Sequence, residues 1–213
     1  MNIFLNIKLI ARNWWRNKLF FLISLFSLTA GLGCTNLLMT FFIHEYNVEK
    51  YNTDRNLIYL LRQDSPIKVA YSTSDAATQI KEKYAEITDI LHVNGMSGNL
   101  CKYNGTDIKQ FLFISADSTL NQFFPYTTSE GSLEEVLTTP DKVAVNKRFA
   151  HRLFGNHSGI GEILEIINEE GQSKSYKVAA ILEDRPQSFL HFDLLTGLSD
   201  KSWGGPVLLK LQP

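Results

Sequence analysis

Between Leu19 and Ile43 the chain runs for 25 residues without a charged side chain, and 14 of those residues are Leu, Ile or Phe. A helix of that length rises about 37 Å, against a hydrocarbon layer of about 30 Å. The segment is therefore expected to cross a bilayer with some tilt. Insertion is favoured by roughly 4–8 kcal/mol from its large apolar residues, partly offset by Asn36 and the Ser and Thr residues. Two other readings fit less well. A cleaved signal peptide has an apolar stretch of about 7–15 residues, shorter than this one. A lipoprotein signal around Gly31-Leu32-Gly33-Cys34 lacks the usual Leu three positions before the cysteine, and mostly apolar sequence continues after it.

Charge sets the direction of crossing. Lys8, Arg12, Arg16 and Lys18 give residues 1–44 a charge of +4 with no acid; the whole chain is −1, which leaves −5 for the remainder. By the positive-inside rule the N-terminus stays in the cytoplasm and the chain from Glu45 onward lies outside. The expected organisation is a cytoplasmic amphipathic lead-in over 1–18, a transmembrane helix over 19–45, and an outer domain over 46–213. In the lead-in, Ile3, Ile7, Ile10 and Trp14 recur at helical spacing, with Lys8, Arg12 and Arg16 on another stripe. Arg12, Trp14, Trp15, Arg16 and Lys18 are expected at the membrane interface; plain topogenic charge is the blander alternative. Within the span, Ser24, Ser27, Gly31 and Thr35 fall near one face. Small residues so spaced let another helix approach closely, or they are ordinary membrane-span composition.

The outer segment alternates short apolar runs with turn signals and is expected to be α+β. Helical character is expected to persist from His44 to Tyr51. Strands are expected at 57–61, 67–71, 87–93, 98–103 and 108–115, with a hairpin turn at Asn104-Gly105. Ser74-Asp75 caps a helix over 76–84. A short helix or turn follows Asp117, and another spans Ser132–Val136. Lys142–Val145 reads as a strand, and Asn146 caps a helix through Phe154 that Gly155 stops. A hairpin at 163–167 and 175–183 turns at Glu169-Glu170-Gly171, and a strand is expected at 189–195. The stretch 203–211 reads as another strand being entered two residues before Pro213, as in a fragment of a longer protein.

Little here promises chemistry. Cys34 lies in the apolar run and Cys101 far along the outer segment, so no disulfide is expected between them. The five histidines form no H-E-x-x-H or other ligand spacing. The acid pairs Glu169-Glu170 and Glu183-Asp184 fall at a turn and a strand end. Gly159-Ile160-Gly161 and Ser97-Gly98 fit no phosphate loop or nucleophile elbow. Nothing calls for a cofactor or a metal. The mildly acidic outer segment gives no footprint for nucleic acid.

Several stretches, in order along the chain, resemble one family. Ile10-Ala11-Arg12-Asn13-Trp14-Trp15-Arg16-Asn17-Lys18 is similar to the "ALRNLLRNK" opening of ABC-transporter permeases of the MacB/FtsX type. His44-Glu45-Tyr46-Asn47-Val48-Glu49-Lys50-Tyr51, followed by Asn56-Leu57-Ile58-Tyr59, resembles the stretch that leaves their first span, with Val48-Glu49-Lys50-Tyr51 where Tyr-Asp-x-Phe is common. Gln79–Ile87 resembles "LKxxxPEI" with Ala85 for Pro. Val143–Gly155 resembles "VVLSExxAxKxFG", and Tyr176–Pro186 resembles "FxVxGVxxDxP", with His191-Phe192-Asp193 soon after. The style is that of the large permeases common in Bacteroidetes. The resemblance implies a bacterial inner-membrane permease subunit, not itself an enzyme, with a periplasmic domain made of a porter-like α+β part and a smaller mostly β part. It implies a cytoplasmic ABC ATPase as partner, further permease helices or a second permease copy, and periplasmic partner proteins. It also implies further spans, usually three, after this domain. A single-pass anchored binding or sensor module is the alternative.

Overall fold

The computed structural model describes residues 17–62, 74–96, 98, 100–168, 170–185, 187–198 and 205–212. The chain divides into two compact units, one ending at Val48 and one beginning at Glu49.

The first unit carries helix α1 (Lys18–Tyr46), 29 residues with a mean hydropathy of 1.7 and none of them buried. At about 43 Å it is long enough to cross a membrane. Its hydroxyls fold back on its own backbone: Thr29, Thr35 and Thr40 donate to the carbonyls of Leu25, Gly31 and Asn36, each at 2.9 Å. Such bonds let polar side chains sit in an apolar medium without an unmet donor. The helix stops at Tyr46, earlier than the expected continuation to Tyr51. Glu49 takes a left-handed φ of 53°, and its N–H bonds the carbonyl of Gln187 instead of the one four residues back.

In the second unit a 3-10 turn (Arg55–Leu57) leads into β1 (Ile58–Leu61). Then come α2 (Ser74–Lys83), β2 (Ile87–Gly95), β3 (Leu100–Tyr103), β4 (Thr106–Ile108), β5 (Phe113–Ala116) and α3 (Leu120–Phe123). They are followed by β6 (Thr128–Gly131), α4 (Leu133–Thr138), β7 (Lys142–Asn146), α5 (Lys147–Phe154), β8 (Ile163–Ile167), β9 (Ser173–Leu182), β10 (Leu194–Gly197) and β11 (Val207–Leu211). The strands join in the order β1-β11-β2-β5-β10-β7-β9-β8-β3-β4, with β6 also on β9. The pairing is mixed: β10 runs parallel to β5 and antiparallel to β7, while β7 and β9 are parallel. The domain is α+β, as expected.

Two large apolar clusters occupy opposite faces of the central strands, as strand alternation requires. One gathers Phe123, Phe124, Val136, Leu182 and Leu195 under α3 and α4. The other gathers Phe113, Val145, Phe149, Leu164 and Tyr176 under α5 and the β3, β4 and β8 strands. A third, smaller cluster packs Ala77 and Ile80 of α2 on Ile87, Ile90, Val207 and Leu209. Caps fix the helices where the sequence places them: the side chain of Asn146 accepts from Phe149 N at 2.7 Å, and Gly155 closes α5 at φ 63°. The Ser132 hydroxyl accepts from Glu135 N at the start of α4.

Two expected strands need correction, one strand was not expected, and three expectations fall outside the described residues. The strand expected at 108–115 is two strands, broken where Gln110 turns to φ 64°. The one expected at 189–195 joins the sheet only from Leu194, because the preceding backbone is held by Glu49, as described below. β6 is polar and carries no alternation signal; it forms because its backbone pairs with β9 beyond the end of β8. The expected strand at 67–71, the turn at 64–66 and the lead-in over 1–16 lie outside the described residues.

Candidate functional site

Of the residues expected at the membrane, Arg12, Trp14, Trp15 and Arg16 lie outside the described residues. Lys18 opens α1 and is exposed. Ser24, Ser27, Gly31 and Thr35 share one exposed stripe of α1, within about 80° of rotation at 100° per residue. A Cβ added at Gly31 would meet nothing within 4 Å, so the stripe is open along its middle.

The most constrained polar site of the domain begins where α1 ends in sequence. Glu49 is 7% exposed. Its Oε1 accepts from Ser188 Oγ at 2.8 Å and from Phe189 N at 2.6 Å. Oε2 is buried with no partner among the described residues. Three residues on, the Asn52 side chain donates to Phe123 O at 2.6 Å and accepts from Asp54 N at 3.0 Å. Asp54 pairs with Lys210 at 2.7 Å, and that ammonium, as hydrogen-bond donor and as nearby charge, holds the carboxyl below its ordinary value. In six residues the chain is thus tied to the loop before β10, to α3 and to β11. We refer to this arrangement as the clasp.

Arg185 locks its other side. The guanidinium lies 4.4 Å from the ring centre of Tyr51 and 5.1 Å from that of Tyr126, within the range of cation–π attraction. It donates to Pro125 O and to Thr127 Oγ1. The Tyr126 hydroxyl donates to Leu190 O at 3.3 Å and lies 3.4 Å from Ser188 Oγ. Burial pushes the phenols of Tyr126 and Tyr51 above their ordinary range, so both stay neutral donors. These bonds restrain position, tying residues 49–54 to the loop before β10, to α3 and to β11.

A second buried pair has a similar character. His92 Nδ1 lies 2.9 Å from Asp117 Oδ2, and Asp117 also accepts from the N–H groups of His92 and Thr119 and from the Thr119 hydroxyl. The same Thr119 hydroxyl lies 2.8 Å from Ile90 O, its single proton shared between the two acceptors, so the pair pins α3 to β2. Among the described residues no group of His, Cys, Asp and Glu could hold a metal ion. Both cysteines are free, and burial pushes the Cys101 thiol up to about 11.

Sequence reasoning singled out none of Glu49, Asn52, Arg185 and Ser188 as site residues. The available signal was the position of Glu49 and Arg185 in two stretches of family-like sequence, 44–51 and 176–186; Asn52 and Ser188 lie just beyond them.

The domain's fold is shared with solved structures. A domain of a protein assigned as a permease, from Porphyromonas gingivalis, superposes with a TM-score of 0.62 at 14% identity, over 75% of this chain and 77% of that one. The periplasmic region of MacB from Actinobacillus actinomycetemcomitans gives 0.55 at 11%, over 76% and 78%. The extracellular domain of the noncanonic ABC-type transporter YknZ from Gram-positive bacteria gives 0.54 at 13%, over 73% and 82%. No curated protein matches the sequence. The profile of the MacB-like periplasmic core domain matches residues 21–203, most of the chain, and the chain belongs to that family.

Proposed function

We propose that this chain is a permease segment that carries ATP-driven motion from a cytoplasmic partner, through α1, into its periplasmic domain. The clasp supports this reading best. A tether needs only a flexible joint after its span, whereas residues 49–54 are bonded into the domain at three places. Motion that reaches Glu49 would therefore pull on the loop before β10, on α3 and on β11.

The rest of the proposal follows from topology. Residues 1–18 lie on the cytoplasmic face of the inner membrane, with Arg12, Trp14, Trp15, Arg16 and Lys18 at the headgroups, and residues 46–213 are periplasmic. Ser24, Ser27, Gly31 and Thr35 form the face on which further permease helices or a second copy pack, since close approach in lipid favours small residues. The ATPase is a separate ABC subunit, and the work is export or mechanotransmission.

Hydrogen exchange on the intact transporter, purified in lipid with its ATPase, tests this. Trapping the ATPase with ATP and vanadate is expected to change protection at residues 49–54 and 187–190. Unchanged protection there, with turnover verified, would leave a static anchor and favour the single-pass binding module.

A further inference from the structure

Three polar side chains stand side by side on the sheet face that carries α5. Register sets Asn94 of β2 opposite Ser115 of β5, and Ser115 opposite Thr196 of β10. Residues opposite one another point to the same face. Two positions earlier on β5 and β10 the same face carries Phe113 and Leu194, both in the apolar cluster. The Thr196 hydroxyl donates to Lys142 O at 2.8 Å, so its oxygen is left to accept. Ser115 is 1% exposed, and its hydroxyl has no partner among the described residues. A buried hydroxyl without a partner destabilises the fold relative to an apolar residue, so its presence needs a reason.

The row lines a cleft of about 450 Å³. Tyr176 and Met96 supply apolar wall. Lys174, also lining the cleft, is 5.0 Å from the Tyr176 ring centre and is paired with Asp141 at 2.8 Å, so its charge is already met. Asn168 and Glu170 also line the cleft, Glu170 exposed; the row of Asn94, Ser115 and Thr196 itself is neutral and lies beside aromatic and thioether surface.

We propose that this cleft binds a small neutral molecule carrying an amide or hydroxyl group on an apolar body. The polar group would bond Ser115 and Thr196, and the body would pack on Tyr176 and Met96. A carboxylate pushed to this row would lose its hydration, with Lys174 already paired to Asp141 and Glu170 opposing it by like charge. The volume lies within the ~300–1,000 Å³ common for small-molecule sites. The site is independent of the clasp and of the motion assigned to it.

The chain's three methionines make the test direct. The full chain, labelled with ¹³C at the Met methyls and held in lipid nanodiscs, is titrated with N-acetyl-L-phenylalaninamide. Met96 should shift saturably while Met39, in α1, stays still. Ser115→Ala should weaken binding about three- to tenfold, the worth of one hydrogen bond. The variant removes a hydroxyl without adding bulk, and unchanged circular dichroism verifies its fold. A comparison that needs no variant is N-acetyl-L-phenylalanine, whose carboxylate should bind at least about tenfold more weakly. Any of three results overturns the proposal: a Met96 signal unmoved up to about 10 mM probe, beyond the range of weak small-molecule binding; equal affinity in Ser115→Ala; or equal affinity for the anionic analogue. A Met96 shift that rises without saturating in step with Met39 reports partition into lipid and also overturns it.

Discussion

Replacing Glu49 by Ala removes the acceptor that holds the loop before β10. Two donors lose their partner, Ser188 Oγ and Phe189 N, and Ser188 is itself only 2% exposed. A hydrogen bond to a charged group contributes about 1.5–3 kcal/mol, and a buried donor left bare costs about 1–3 kcal/mol. Two effects work against this. The Ser188 hydroxyl can turn toward Tyr126, 3.4 Å away. The desolvation of Oε2, which has no partner among the described residues, is also relieved. The net loss is expected to be about 2–3 kcal/mol, or about 4–12 °C in Tm for a domain of this size. Glu49→Gln keeps an acceptor at Oε1 and should stay within about 1 kcal/mol of the parent. Glu49→Gly should be about 1 kcal/mol more stable than Glu49→Ala, because φ is 53° and glycine adopts that conformation without a Cβ clash. Thermal unfolding in detergent, followed by the near-UV dichroism of the tyrosines, reads all three. Combining Glu49→Ala with Ser188→Ala should be less than additive, since both remove one shared bond. An Ala variant within about 0.5 kcal/mol of the parent, or a Gln variant as damaged as Ala, would refute the reasoning.

Asn146→Ala should cost about 2–4 kcal/mol, because the side chain both caps α5 and donates to Phe192 O, and denaturant unfolding measures it. Gly131→Ala should cost a similar amount, about 2–4 kcal/mol: φ is +76°, and the new Cβ would collide with the Ala179 carbonyl. Burial pushes the Asp117 carboxyl up, but bonds from His92 and Thr119 outweigh it and hold the carboxyl below its ordinary value. Its contribution is therefore present above the unfolded carboxylate range near pH 4 and is lost as pH falls through the lower folded value. Asp117→Asn should flatten that part of the stability profile between about pH 5 and pH 2, as read by denaturant midpoints at each pH. In denatured samples Cys101 should react with maleimide, whereas in folded ones it should be protected by burial and its raised pKa.

The elements that read most clearly from sequence are those whose signals are local. α1 follows from an unbroken apolar run, and α5 from Asn146 and Gly155 at its ends. β8 and β9 follow from alternation around a turn. Where long-range bonds decide, sequence misled. The chain after Tyr46 keeps helical composition, yet Glu49 is captured by Gln187, Ser188 and Phe189, about 140 residues away. The same capture keeps Phe189 out of β10 despite its strand propensity. β6 is strand only because β9 is longer than β8 and leaves a free backbone edge. The candidate site was less legible than the fold. Arg185, Ser188 and Glu49 are ordinary turn and loop residues one by one, and only the fold gives them shared partners. The polar row of Asn94, Ser115 and Thr196 is hidden for the same reason, since register, not sequence distance, sets it side by side.

The proposed transmission of motion requires α1 to cross the membrane with the domain outside. Protease added to intact spheroplasts tests that directly, with an epitope tag at the N-terminus and antibodies against the domain. Residues 46–213 should be digested while the tagged N-terminal segment, with α1, stays protected. A domain that survives until the spheroplasts are lysed, or a tag cleaved from outside, would contradict it.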